Sequence, residues 1–416
     1  MVYMRQQSAS SCLAENMRRA VCAGQEGNVK KRNRVESRER DAAEAGTLSL
    51  EEVVAVTQLA RITVRGFKSI QKLEDFKLER LNVLIGANGA GKSNFISFFR
   101  MLAEMMEGRL QFYVKGEYGP DALLFGGRKR TRQIEADLYF AGNEYRFSLA
   151  PAASQLIFAS EDAYFKGNDS RTWWRSLGSG HTETKLPSAG GDRIARSVIP
   201  AVQSWRVFHF HDTSSLAPVR TAQPVRDNLK LKPDAANLAP FLRMLREKHP
   251  KYYASIVETV RMVAPFFKDF LHRDEPGERM ELEWLEEEDP DTPRGPLQLS
   301  DGTLRFICLA TLLLQPPLLQ PDTILVDEPE LGLHPYALVI LSSLLRRASE
   351  GKQLIVSTQS VELINQLDPA DVIVTERRDG ASVFQRLDSE RLSEWLEDYS
   401  LGELWKMNVV GGRPSR

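Results

Sequence analysis

A chain of 416 residues, 42% hydrophobic and 27% charged, is long enough for two or three lobes around a sizeable core. Its net charge of −1 excludes a polycation, so any nucleic-acid surface has to be a local patch. No apolar run approaches the roughly 20 residues of a spanning helix, and three cysteines (Cys12, Cys22, Cys308) without C-x-x-C spacing argue against a disulfide framework or a zinc site.

In chain order, residues 1–55 are polar, with a basic cluster at Lys30, Lys31, Arg32 and Arg34. They read as a flexible extension or an over-long start of the coding sequence, and the charge run as a solvated one. Without the apolar core of a secretory signal, a cytoplasmic location is expected. Alternation of Ile62, Val64 and Phe67 predicts a first strand, and the apolar run Leu81–Ile85 a second. A helix follows at Phe95, Ile96, Phe98, Phe99 and Leu102, then a hairpin over Gln133–Tyr139 and Glu144–Leu149. Glycine, serine and aspartate between Gly167 and Asp192 predict loops, and helical periodicity runs from Leu238 through Phe270. After an acidic stretch, Glu281 to Asp291, strands at 323–326, 354–357 and 372–375 alternate with helices at 303–314, 335–347 and 361–366. That alternation predicts an α/β fold with a parallel, doubly wound sheet, the hairpin forming an antiparallel β subdomain beside it. No heptad pattern persists, so coiled-coil arms are not expected.

Two distant segments carry chemistry. Gly86-Ala-Asn-Gly-Ala-Gly-Lys-Ser93 matches G-x-x-x-x-G-K-[ST] without a mismatch, between an apolar strand and a helix. In that context Gly86, Ala87, Asn88, Gly89, Ala90, Gly91, Lys92 and Ser93, with Asn94 after them, are expected to cradle the phosphates of a nucleoside triphosphate. Lys92 would reach the β- and γ-phosphates and the Ser93 hydroxyl would ligate Mg²⁺. The strand Thr323-Ile-Leu-Val ends in Asp327-Glu328, where the aspartate is expected to hold Mg²⁺ and the glutamate to polarise the attacking water. Leu299-Ser-Asp-Gly-Thr303 before a helix is, taken alone, an N-cap at Ser300. His209 and His211, in Phe208-His-Phe-His-Asp212, read as structural or nucleotide-adjacent rather than as a metal site.

Taken together in order and spacing, these motifs resemble ABC-type ATPases of the RecF/SMC-like branch. Leu299–Thr303 is similar to the signature L-S-G-G-Q, with Asp301 and Thr303 as departures. Asp327-Glu-Pro-Glu-Leu-Gly-Leu-His-Pro335 resembles the Walker B and D-loop of that branch and of OLD-type ATPases. Arg65-Gly-Phe-Lys-Ser69 resembles their opening strand, and the tail L-E-D-Y-S-L-G-E-L-W-K … G-G-R-P looks like a group of bacterial predicted AAA/ABC ATPases. The resemblance covers roughly residues 60–150 and 295–416. It implies an ATPase lobe in two parts, 56–150 and 296–385, an insertion lobe of mixed or helical character over 151–295, and a C-terminal tail over 386–416. At the switch strand, Gln359 stands where relatives carry histidine; it can hydrogen-bond but cannot carry a proton. Gln133 is a candidate Q-loop glutamine.

In such proteins two protomers sandwich two ATP molecules, and the resemblance implies that Ser300 and Gly302 contact the γ-phosphate bound to a partner copy. It implies a Mg²⁺-dependent ATPase that closes as a homodimer, with Lys92, Glu328 and Gln359 as catalytic groups. The expected partner is double-stranded DNA, in repair, chromosome maintenance or phage defence, with a separately encoded effector protein as the alternative. The cluster Arg128, Lys129, Arg130, Arg132 is a candidate DNA contact or a solvated hairpin turn. No D-x-D element follows Ser360, so neither a TOPRIM domain nor intrinsic nuclease activity is expected, and no membrane partner is expected.

Overall fold

A computed structural model describes residues 58–412 apart from 141, 167–171, 189–201, 204 and 274–276. The extension expected over 1–55, and Arg413 and Pro414 of the tail, lie outside the described residues. Strands β1 (Leu59–Phe67) and β2 (Ile70–Lys77) pair antiparallel across a tight turn. β3 (Leu81–Ile85), buried at every position, leads into α1 (Lys92–Met106), and α2 (Leu110–Gly116) and α3 (Pro120–Leu123) follow. Then come β4 (Ile134–Phe140), β5 (Asn143–Ala152), β6 (Gln155–Lys166) and β7 (Thr172–Gly178). With β1 and β2 they form a six-stranded antiparallel sheet in the order β2-β1-β4-β5-β6-β7. The expected hairpin is β4–β5, in register from Ile134↔Leu149 to Phe140↔Asn143.

The chain next contributes β8 (Arg206–Phe208), β9 (Gln223–Pro224), α4 (Leu238–Lys248), α5 (Pro250–Val263), β10 (Phe267–Leu271), β11 (Arg279–Met280) and β12 (Glu283–Glu286). It then alternates through α6 (Asp301–Leu314), β13 (Thr323–Asp327), α7 (Pro335–Ser349), β14 (Gln353–Ser357), α8 (Val361–Ile364) and β15 (Val372–Arg378). β16 (Ala381–Arg386), α9 (Ser389–Asp398) and α10 (Leu401–Lys406) complete it. The second sheet has the order β16-β15-β3-β14-β13-β8, parallel except for β16 on β15.

Strand periodicity explains how this sheet is sandwiched. Side chains alternate between faces, so Val83, Val326, Val356 and Val374 join one core cluster with α4–α7. Their neighbours Leu84, Leu325, Ile355 and Ile373 join the other, with α1 and the antiparallel sheet. A parallel sheet covered on both faces reads in sequence as continuous apolar runs. Among the described residues, no helix is long and apolar enough to cross a membrane.

Several expectations change. The helical run from Leu238 through Phe270 is two helices and a strand. Pro250, lacking an N–H, starts α5, and Ala264, ahead of Pro265, takes φ −125° and ψ 81°, ending the helix before β10. Residues 172–178, expected within a loop, are β7, and the acidic stretch contains β12, paired antiparallel with β10. The segment 151–295, expected as one insertion lobe, is distributed: β6 and β7 extend the antiparallel sheet, and β8 is an edge strand of the parallel one.

Candidate active site

The loop after β3 is shaped by glycine. Gly86, Gly89 and Gly91 take φ of 150°, 77° and 116°. A Cβ on Gly86 would run into the Thr375 carbonyl of β15, and one on Gly91 into the Ser382 hydroxyl of β16. The loop opens into α1, whose first turn has no side-chain cap and no acidic residue. An uncapped helix start with outward N–H groups favours an anion. Ala87 and Asn94 are half-buried, whereas Asn88, Gly89 and Ser93 are exposed.

Lys92 is 5% exposed and turns back on the loop, its Nζ donating to the Gly86 carbonyl at 2.7 Å and the Ala87 carbonyl at 3.2 Å. Burial pulls this ammonium below the ordinary lysine range, while the carboxylates of Glu328, Asp327 and Glu330 oppose that pull. The second motif therefore meets the first electrostatically.

Register brings the acids and the switch strand together. β13 runs parallel to β14 with Asp327 beside Ser357, whose hydroxyl donates to Asp327 Oδ1. Glu328 follows in the left-handed region at φ 44°, and its N–H donates to the Ser357 carbonyl at 2.9 Å. Gln359 Nε2 donates to Glu328 Oε1 at 2.6 Å, and the Gln359 N–H to Glu330 Oε1 at 2.7 Å. One hydroxyl (Ser93) and one carboxylate (Asp327) suit Mg²⁺, which keeps several waters and takes few protein ligands. Among the described residues no group of three or more His, Cys, Asp or Glu is placed to hold a metal.

Glu330 had no role in the sequence reading, and its position gives one. Burial pushes its carboxyl up, against the Gln359 N–H that favours the charged form, and Oε2 is buried without a partner. A raised folded value means its stabilising share is complete below the ordinary glutamate value of about 4.3 and is lost as pH rises through the folded value. Glu330→Gln keeps an acceptor for Gln359 and removes that loss. In nucleotide-free melts the variant should gain on the wild type from pH 4 to pH 7; a pH-independent difference would contradict this.

The signature segment is built separately. Ser300 caps α6, its Oγ accepting the Thr303 N–H at 3.1 Å. Asp301 pairs with the buried Arg220 at 2.8 Å, and Arg220 also donates to the Leu299 and Thr213 carbonyls. The departure from the family pattern at Asp301 thus has a partner 81 residues back. Gly302 lies against the D-loop, where a Cβ would overlap the Gly332 carbonyl. Arg305, one turn on, donates to the carbonyls of Phe210, His211 and Leu331. Among the described residues no hydrogen bond joins Ser300 or Gly302 to the phosphate loop of their own chain.

Of the two histidines, His211 lies at the site, with Nε2 3.0 Å from the Asp327 carbonyl, while burial holds the His209 imidazole below its usual range in a separate cavity beside Arg100 and Trp205. Gln133 donates to Glu135 at 2.7 Å, its neighbour at the start of β4. The basic cluster lies in the turn after α3 rather than in a hairpin; Arg128 is bound to Asp121 at 2.8 Å and Arg130 covers the Phe125 ring at 4.5 Å.

No curated protein matches the chain. Among solved structures, an SMC head bound to the C-terminal winged-helix domain of ScpA matches at 17% identity and TM-score 0.51, covering 81% of this chain and 99% of that one. A Pyrococcus furiosus SMC head with an extended coiled coil, bound to the C-terminal domain of ScpA, matches at 14% identity and TM-score 0.51, covering 82% and 98%. At these identities the likeness concerns the fold, which is that of an ABC-type P-loop ATPase head. A family model matches residues 81–365, from β3 to the end of the switch region, and the chain belongs to that family, described as "AAA domain, putative AbiEii toxin, Type IV TA system".

Proposed function

We propose that this protein is a Mg²⁺-dependent ATPase whose ATP-bound form is a homodimer acting on DNA. The observation that carries the reading is the buried Lys92 at an uncapped helix start, within the field of the carboxylates of Asp327, Glu328 and Glu330. Lys92 would leave the Gly86 and Ala87 carbonyls for the β- and γ-phosphates, while the loop and α1 N–H groups hold the rest of the polyphosphate. Ser93 and Asp327 would hold Mg²⁺, which neutralises charge on the β- and γ-oxygens. Glu328 would take the proton of the attacking water, with Gln359 fixing its carboxylate. Ser300 and the Gly302 N–H, at the start of α6, would complete the site of a second copy.

The DNA reading rests on the resemblance of the motifs to the RecF/SMC-like branch. Its test is the ATPase rate with and without double-stranded DNA at low salt. Stimulation that fades as salt rises is the expected outcome, because phosphate contacts release counterions; a rate indifferent to DNA would remove DNA from the proposal. One observation favours a second reading, a slow ATPase module controlling a separate effector: the Glu328 carboxylate is already engaged by Gln359. ATP-dependent association with a partner protein in the absence of DNA would select that reading.

A further inference from the structure

The chain returns to the phosphate loop at its far end. After α10, Asn408 takes φ 64° and the Val409 N–H donates to the Leu404 carbonyl, reversing the backbone, and Val410 packs on the core. Gly411 and Gly412 follow at φ 81° and 85°, a conformation that side chains other than glycine rarely adopt. The Gly412 carbonyl accepts the Ala87 N–H at 2.8 Å, and the Gly412 N–H donates to Glu376 Oε1 at 2.7 Å. Both positions disfavour a side chain. A Cβ on Gly411 would collide with the Glu376 carboxylate, and one on Gly412 would lie 3.0 Å from both Trp405 Nε1 and Val374 Cγ1.

These contacts complete a wall on the outer side of the loop. The Thr375 carbonyl sits against Gly86, the Ser382 hydroxyl donates to the Ala90 carbonyl at 2.5 Å, and Arg377 reaches the Gly89 carbonyl at 3.4 Å. All three come from β15 and β16. The tail fills the remaining place, giving Ala87 a backbone acceptor that the hairpin does not supply.

We propose that the Gly411–Gly412 strap, anchored on Glu376, is a positioning element for ATP: it holds the start of the phosphate loop in its binding shape. This rests on the ATP reading above. Neither the strap nor Glu376 would touch the reacting atoms. Their effect passes through Ala87, so it falls on affinity rather than on the chemical step. By linkage, bound ATP stabilises the seated strap to the same extent.

The test is ATP titration and steady-state kinetics on the full chain carrying Glu376→Ala, Glu376→Gln or Gly412→Val. Glu376→Ala and Gly412→Val should weaken ATP binding about tenfold, the size of one backbone hydrogen bond, and raise KM equally while kcat stays within about twofold. Glu376→Gln should bind more tightly than Glu376→Ala, because its amide oxygen still accepts the Gly412 N–H although its amide nitrogen cannot accept from Arg378 as the carboxylate does. An equal loss in the Gln and Ala variants, or a wild-type KM in Gly412→Val, would overturn the strap. Should Gly412→Val fail to fold, the Ala/Gln pair decides alone. A wild type that binds no ATP overturns the ATP reading and the strap with it, whereas a wild type that binds while all variants bind equally overturns only the strap.

Discussion

Glu328→Gln is expected to abolish turnover and to accumulate the protein as an ATP-bound dimer. Loss of a positioned general base typically costs about 10²–10⁴ in rate. The substitution keeps the side-chain size and an oxygen that can accept from Gln359 Nε2, now 2.6 Å from Glu328 Oε1. Ser357 still donates to Asp327, and Lys92 still feels the negative charge of Asp327 and Glu330, so the binding elements are left in place. A site that binds but does not hydrolyse keeps the γ-phosphate that a partner's Ser300 and Gly302 would contact. Phosphate release and light scattering, measured together with saturating ATP and Mg²⁺, decide it. A strictly monomeric variant would contradict the sandwich, and a variant with wild-type turnover would remove Glu328 from the base role.

The parts legible in sequence were those whose signal is local. Gly86–Ser93 carries its shape in its own spacing, since three positions need glycine for positive φ or close approach. The buried strands β3, β13 and β14 are short, near-continuous apolar runs (broken in β3 by Asn82), the mark of a parallel sheet covered on both faces. The parts not legible depend on contacts far apart in sequence. β8 is three residues long, too short to show a period, and becomes a strand only because β13 lies beside it. Glu330 reads as one more turn acid until the Gln359 N–H is found on it 29 residues away. Apart from the Arg220–Asp301 pair and the Thr213 hydroxyl on Arg305, Arg220 and Arg305 bind backbone carbonyls, which leave no trace in residue identity. Gly411 and Gly412 are an ordinary pair in sequence; only the approach to Glu376, Trp405 and Val374 shows why side chains are disfavoured.

Gly302→Ala is expected to do the opposite of Glu328→Gln: ATP binding by the single chain should survive while ATP-driven dimerisation is lost. The added methyl would overlap the backbone carbonyl of Gly332, which cannot move aside as a flexible side chain would. Gly332 is itself confined, at φ 70° and with the Arg305 guanidinium against it. The collision therefore separates the start of α6 from the D-loop or tilts α6 on its Ser300 cap. Overpacking of this kind costs about 1–3 kcal/mol. Monomer and dimer both carry that cost, since the overlap is within one chain. What the dimer alone loses is the contact proposed between the displaced start of α6 and the partner's γ-phosphate. A loss of about 1–3 kcal/mol there weakens each contact by roughly 5- to 150-fold. Two such contacts close one dimer, so the losses compound. Among the described residues, no hydrogen bond joins the phosphate loop to Gly302 of its own chain, which is why monomer affinity should hold. Measuring ATP affinity at low protein concentration and scattering mass at high concentration separates the two effects. Dimerisation at the wild-type level would show that the signature segment does not face the partner's nucleotide. Dimerisation and affinity lost together would place Gly302 in the folding of its own chain instead.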